Sequence, residues 1–305
     1  MLPKIATHKP FRSWTVVLAA VAVLVLAACT GIQPVVAPPP SAAPQPMAGA
    51  AIPEITIQVS DSGIIVPDVV PGGIVGITIE NTGAQTHNVD LWRIRAGHTQ
   101  DEILAMNEYL KENPDAFFGV FELGSWIHYA QDIESGATVH YYADLRTGDF
   151  FVTDDTNPDL APVFFAATEL AGTTEPEAAV TVDMVDFAYV MPDTVPAGKQ
   201  LWEFTNSGEQ WHLAAIATHN PDASIEEILY SFGGENTPPP ADAVVQILGG
   251  LPPMSPGERV WMEFELAPGA YELLCPLPDV AALATGGEPL PHLLHGMRHA
   301  FTVGN

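Results

Sequence analysis

Two stretches of this chain repeat one pattern, and that repeat limits the fold more than any other feature. The first reads ITIQVSDSGIIVPDVVPGGIVGITIENTG and the second VTVDMVDFAYVMPDTVPAGKQLWEFTNSG. Each alternates apolar and polar residues, passes through Pro-Asp-x-Val-Pro and a glycine turn, and ends in Asn-x-Gly. Alternation over four to eight residues, bounded by Pro and Gly, predicts half-buried strands. A histidine follows each Asn-x-Gly at the same spacing, His87 in NTGAQTH and His212 in NSGEQWH. A short apolar strand and then a helix are expected after each. The first helix falls over about 100–112. The second falls over about 224–232, with Ser224 and Glu227 placed as a capping box. The segments SGATVHYYADLRTGDFFVTD and PGERVWMEFELAPGAYELLC then run in parallel and set Asp154 opposite Cys275. Many short strands with regular turn signals predict an all-β chain: two Greek-key β-sandwiches in tandem, each with a short inserted helix. The polar stretch AGTTEPEA divides them, giving modules at 54–170 and 178–305.

The residues before the first module have another character. Lys4, Lys9 and Arg12 precede the unbroken apolar run WTVVLAAVAVLVLAA at 14–28. A basic segment, a short apolar stretch and small residues at its end form a secretory signal. The run is short of the roughly 20 residues a membrane-spanning helix needs. Leu26-Ala27-Ala28-Cys29 resembles a lipobox, which implies cleavage after residue 28 and lipidation of Cys29. The uncharged, proline-rich stretch to residue 53 is a semi-rigid spacer without a core. The chain is thus expected to be exported to the cell envelope and held by a lipid at the outer face of a membrane.

Charge narrows the partners. The chain carries 10 basic and 37 acidic residues, a formal charge of −27. Without the three basic residues of the leader, the charge is −30. Such a surface repels nucleic acid and anionic head groups. It would attract a partner with a basic face, or serve solubility alone. The two cysteines, Cys29 and Cys275, lie in different contexts. With Cys29 modified, Cys275 is a single thiol in an exported chain and needs an explanation.

The second module ends YELLCPLPDVAALATGGEPLPHLLHGMRHAFTV. With His212 early in the module and Cys275, His292 and Met297 in this late loop, the pattern resembles the cupredoxins, the blue copper proteins. The resemblance spans 178–305. It implies one mononuclear copper, with His212, Cys275 and His292 as equatorial ligands, Met297 as a weak axial one, and Arg298 to Val303 as the closing strand. Two imidazoles, a thiolate and a distant thioether suit both Cu(I) and Cu(II). The chain departs from the family at 279–290, an additional stretch between Cys275 and His292. That stretch either bulges outward while its ends stay together, since closing a longer loop costs only about 0.6 kcal/mol per doubling, or it has cost the loop its metal-binding shape. Singly, each residue has a plainer role: a buried Cys as a small hydrophobe, a His as a core or edge residue, Met297 as packing. Trp211 either shields the site or only packs.

The first module has Asp154 where a cysteine would be needed, and is expected to lack copper. Its TDDTNPD stretch reads as an Asx-rich turn or a weak Ca²⁺ site. The expected function is membrane-tethered electron transfer through one copper. A Cu(I) chaperone or store using Cys275, His292, His295 and Met297, and a metal-free interaction module, are the alternatives. An enzyme is not expected. No His-x-His pair, nucleophile–base motif, phosphate loop or HExxH occurs, and His128 and His140 read as scattered surface residues.

Overall fold

A computed structural model describes residues 51–146, 148–170, 174–220, 222–230 and 246–304. The signal segment, Cys29 and most of the proline-rich spacer lie outside them. Among the described residues, no helix is long and apolar enough to cross a membrane.

The architecture is all-β and repeats, as the sequence implies. In the first half β1 (Glu54–Ser60), β2 (Gly63–Ile65) and β3 (Val70–Asn81) lead into β4 (His87–Ile94). Helix α1 (Gln100–Glu112), a 3-10 turn (Pro114–Gly119) and the short α2 (Val120–Leu123) follow, then β5 (Gly124–Ile133), β6 (Thr138–Leu145), β7 (Gly148–Asp154) and β8 (Val163–Leu170). The second half runs β9 (Val180–Val185), β10 (Ala188–Val190), β11 (Thr194–Pro196), β12 (Gly198–Asn206), β13 (His212–Thr218), α3 (Ile225–Tyr230) and β14 (Gln246–Met254). It closes with β15 (Arg259–Leu266), β16 (Gly269–Leu274), α4 (Val280–Ala284), a 3-10 turn (His292–His295) and β17 (Arg298–Gly304).

The pairings match between the halves. Strand β1 lies parallel to β3 as β9 does to β12, and β3 is antiparallel to β6 as β12 is to β15. The facing sheets run β8-β7-β4-β5 and β17-β16-β13-β14. Period-two burial follows the alternation: Ile55, Ile57 and Val59 point inward from β1, and Val180, Val182 and Met184 from β9. The helix starts are those expected. Thr99 and Glu102 form a reciprocal capping box on α1. The Ser224 amide donates to Glu227, and the Glu227 amide to Ser224 Oγ.

Strand pairing also joins the halves. Val260 and Trp261 of β15 pair with Ala143 and Tyr142 of β6. The Ser255 amide donates to the Trp126 carbonyl at 2.8 Å, while the Trp126 amide donates to Ser255 Oγ at 2.7 Å. This corrects one expectation about the surface. His128 is buried, because it pairs with Leu91 on the inner face of β5 and its ring packs on Tyr141 of β6 across the sandwich; His140 is more exposed and pairs with Glu54.

Candidate metal centre

The Asn-x-Gly turn builds the first part of the site. Asn206 Nδ2 donates to the carbonyls of Gln210 and Met254, while its Oδ1 accepts from the Gly208 amide. This pins the chain where β13 begins, with His212 as its first residue. Asp186, just after β9, accepts from the amides of Glu209 and Gln210 and lies 3.0 Å from His212 Nε2. A Cβ at position 208 would sit 2.5 Å from Asp186 Oδ1 and 2.7 Å from His212 Nε2, so only glycine leaves room for this pair. A carboxylate can only accept, so Nε2 carries the proton and Nδ1 keeps its lone pair. A second group that fixes the tautomer in this way orients a metal-binding histidine.

The C-terminal loop brings the other donors to that lone pair. Cys275 directly follows β16, and the 3-10 turn places His292 beside it. His212 Nδ1 and His292 Nδ1 are 3.1 Å apart, and Cys275 Sγ lies 3.5 Å from His292 Nδ1. All three residues are buried, and their donor atoms fall within 4.8 Å of one another. Met297 is also fully buried. Its carbonyl accepts from the Cys275 amide and its amide donates to the His292 carbonyl. Donor atoms this close are within reach of one transition-metal ion bonded at about 2.0–2.3 Å. The mixed imidazole and thiolate set suits a soft or borderline ion.

The additional stretch at 279–290 is pinched off at its base. Pro278 bridges Pro291, the Asp279 amide donates to Leu290, and the His292 amide donates to Leu277. The Leu293 amide donates to Cys275 itself. The extension holds α4 and turns at Gly286, whose φ of 77° favours glycine. The donors stay together because the base is hydrogen-bonded like a shorter loop.

Burial governs the charges. It pushes the Cys275 thiol up to about 12, against smaller opposing effects from the backbone of Leu213 and Leu277 and from Tyr189. Burial, then the neighbouring His212, takes His292 down to about 4. Burial also lowers His212, although Asp186 opposes it. For Asp186, burial alone would raise the carboxyl; hydrogen bonds from His212 and the two backbone amides outweigh it and hold it low. The cluster therefore presents neutral imidazoles, and an ion must displace one proton, from sulfur.

The remaining histidines stand apart. His219 binds Glu272, which Arg298 also holds. His295 faces Asp279 at 3.7 Å, and His299 faces Asp193. Trp211 packs on the first half, with its ring 3.3 Å from that of Phe121 and 5.4 Å from Phe118. The pseudo-equivalent place in the first half is built alike. Asn81 ties the turn, and Asp61 accepts from the amides of Ala84 and Gln85 and lies 3.2 Å from His87. There His87 Nδ1 meets Asp154 at 2.7 Å, and Asp154 also accepts from the Thr156 amide and hydroxyl as an Asx turn. Sequence reasoning passed over Asp186 and Asp61. The repeat carried the signal, an aspartate at the same place in VSDSG and MVDFA.

No family model and no curated protein matches this chain. Among solved structures it is similar to Na-dithionite reduced auracyanin from the photosynthetic bacterium Roseiflexus castenholzii, at 24% identity over 41% of this chain and 95% of that one, with a TM-score of 0.29. It is similar to auracyanin B at 20% identity over 43% and 94%, with a TM-score of 0.28. It is also similar to the copper nitrite reductase of Nitrosomonas europaea at 11% identity over 84% and 95%, with a TM-score of 0.23.

Proposed function

We propose that the second half binds one copper ion, which His212, Cys275 and His292 would hold with Met297 as a weaker fourth ligand, and that the chain carries single electrons in the cell envelope. The convergence of two imidazole nitrogens and one thiol in a buried cluster supports this reading. Copper, when bound, supplies a one-electron couple. The chain's own residues do the rest: Asp186 orients His212, the pinched loop holds Cys275 against His292, and burial keeps water from the donors. A donor set already gathered before the ion arrives changes little when the ion's charge changes.

The test is a visible absorption spectrum of the purified chain with Cu(II). A strong thiolate-to-copper band, with one copper per chain, is expected; Cys275→Ser should lack the band. No band and no bound copper would sink the proposal and leave a metal-free interaction module. Uptake of Cu(I) without a reversible Cu(II)/Cu(I) couple would point instead to a copper chaperone or store.

The envelope setting is part of the same proposal. The lipobox-like LAAC supports a lipid on Cys29, and Cys29→Ser should free the protein from the membrane fraction. The charge of −30 supports a redox partner with a basic face. Electron exchange with such a partner should slow as salt is added.

A further inference from the structure

The first half holds a cavity that the copper reading does not use. It measures about 320 Å³ and lies between α1 and strands β4 and β7. Its apolar wall includes Trp92, Phe117 and Phe151, with Met106 of α1 across from them. Trp92 and Phe151 stack at 5.8 Å, and Phe117 meets Trp92 edge-on at 6.5 Å. Rings so arranged pack favourably, offset or edge-on, with a further aromatic ring.

The polar lining is acidic. Asp90 is only 7% exposed; it accepts from Trp126 Nε1 at 2.8 Å and from the Thr153 hydroxyl at 3.5 Å. Asp155 accepts from the Tyr129 hydroxyl at 2.6 Å. Neither carboxyl has an ion pair among the described residues. Asp154, also on the wall, is already committed to His87 and the Thr156 turn. Lys111, the cation on the wall, is bound to Glu108 at 2.7 Å. Burial, then the charge of Asp155, pushes Asp90 well above the ordinary carboxylate range, as expected where no cation compensates it. An uncompensated buried carboxyl is costly, and this one lines a cavity walled by aromatic rings.

We propose that this cavity binds a small arylalkylammonium ion, its ring among Trp92, Phe117 and Phe151 and its ammonium group at Asp90 and Asp155. At about 30 Å³ for each water displaced, the space suits a ligand of roughly ten non-hydrogen atoms. Volume, apolar walls and a few convergent polar groups are the usual makings of a small-molecule site. The inference does not rest on the copper reading.

The test uses 2-phenylethylamine as the probe, with 2-phenylethanol as its neutral counterpart, in titration calorimetry on the full chain. The amine should bind saturably and about 10- to 100-fold more tightly than the alcohol, the range of a charge-assisted hydrogen bond. Asp90→Asn should lose that preference. Met106→Trp, which fills the cavity from α1 without touching the carboxylates, should abolish binding while leaving the thermal transition in place. The absence of saturable amine binding, equal binding of amine and alcohol, or undiminished binding in Met106→Trp would each overturn the proposal.

Discussion

Glu258→Ala should destabilise the chain by about 3–5 kcal/mol, the cost of leaving a buried charge without its partner. Glu258 lies between the halves with a side chain only 4% exposed. Arg93 of β4 reaches it with both Nε and Nη2, at 3.1 and 2.9 Å, and Ser125 Oγ donates to it at 2.8 Å. Arg146 approaches at 3.6 Å and also donates to the Gly257 carbonyl. Removing the carboxylate leaves Arg93, whose side chain is 15% exposed, with only the carbonyls of Asp144 and Arg146 as acceptors, and leaves Ser125 without its acceptor. Glu258→Gln keeps the acceptor oxygen and should cost less. Denaturant unfolding of the three proteins would measure both effects. A loss below about 1 kcal/mol in Glu258→Ala would mean that strand pairing and the Trp211–Phe121 contact hold the halves together without the ion pair.

Acidification should weaken the wild-type chain more than a His128→Phe variant. His128 is fully buried, its ring lies 4.0 Å from that of Tyr141, and its Nδ1 has no hydrogen-bond partner. Burial takes it down from 6.5 to about 3. Between those values the unfolded chain binds a proton that the folded chain refuses, so stability falls as pH falls through 6.5 and goes on falling to about 3. The slope approaches about 1.4 kcal/mol per pH unit below 6.5, or about 2 kcal/mol between pH 6.5 and 4.5. Asp90, whose carboxyl is raised by burial, acts in the opposite direction. It remains in both chains, so the difference between their stability curves isolates His128. Parallel curves for the two proteins over that range would show that the site admits the charged ring.

Local chemistry carried much of the fold. Alternating residues, Pro-Asp-x-Val-Pro turns and capping residues act over a few positions, so most strands and the helices α1 and α3 were legible from the order of residues, while the short α2 and α4 were not. The repeat then aligned β4 with β13 and β7 with β16, and so set Asp154 opposite Cys275 before any contact was known. Pairing bears this out, since Val89↔Asp154 in one half has the register of the Ala215↔Leu274 ladder one step on in the other. Three of the candidate donors, His212, Cys275 and His292, were legible as residue types at recognisable places, and they converge in one buried cluster.

What the sequence could not decide was set by contacts between distant residues. Whether 279–290 kept or spoiled the loop depended on a bridge between Pro278 and Pro291, which no local preference dictates. The role of Asp186 depended on a carboxylate meeting an imidazole 26 residues away, through space that Gly208 leaves clear. The burial of His128 depended on β6 bringing Tyr141 across the sandwich from β5, and the cavity beside Asp90 on α1 roofing a sheet. Alternation tells which face of a strand turns inward. Only the assembled chain tells what waits there, because burial, pairing and the pKa of each group are properties of neighbours that the order of residues does not name.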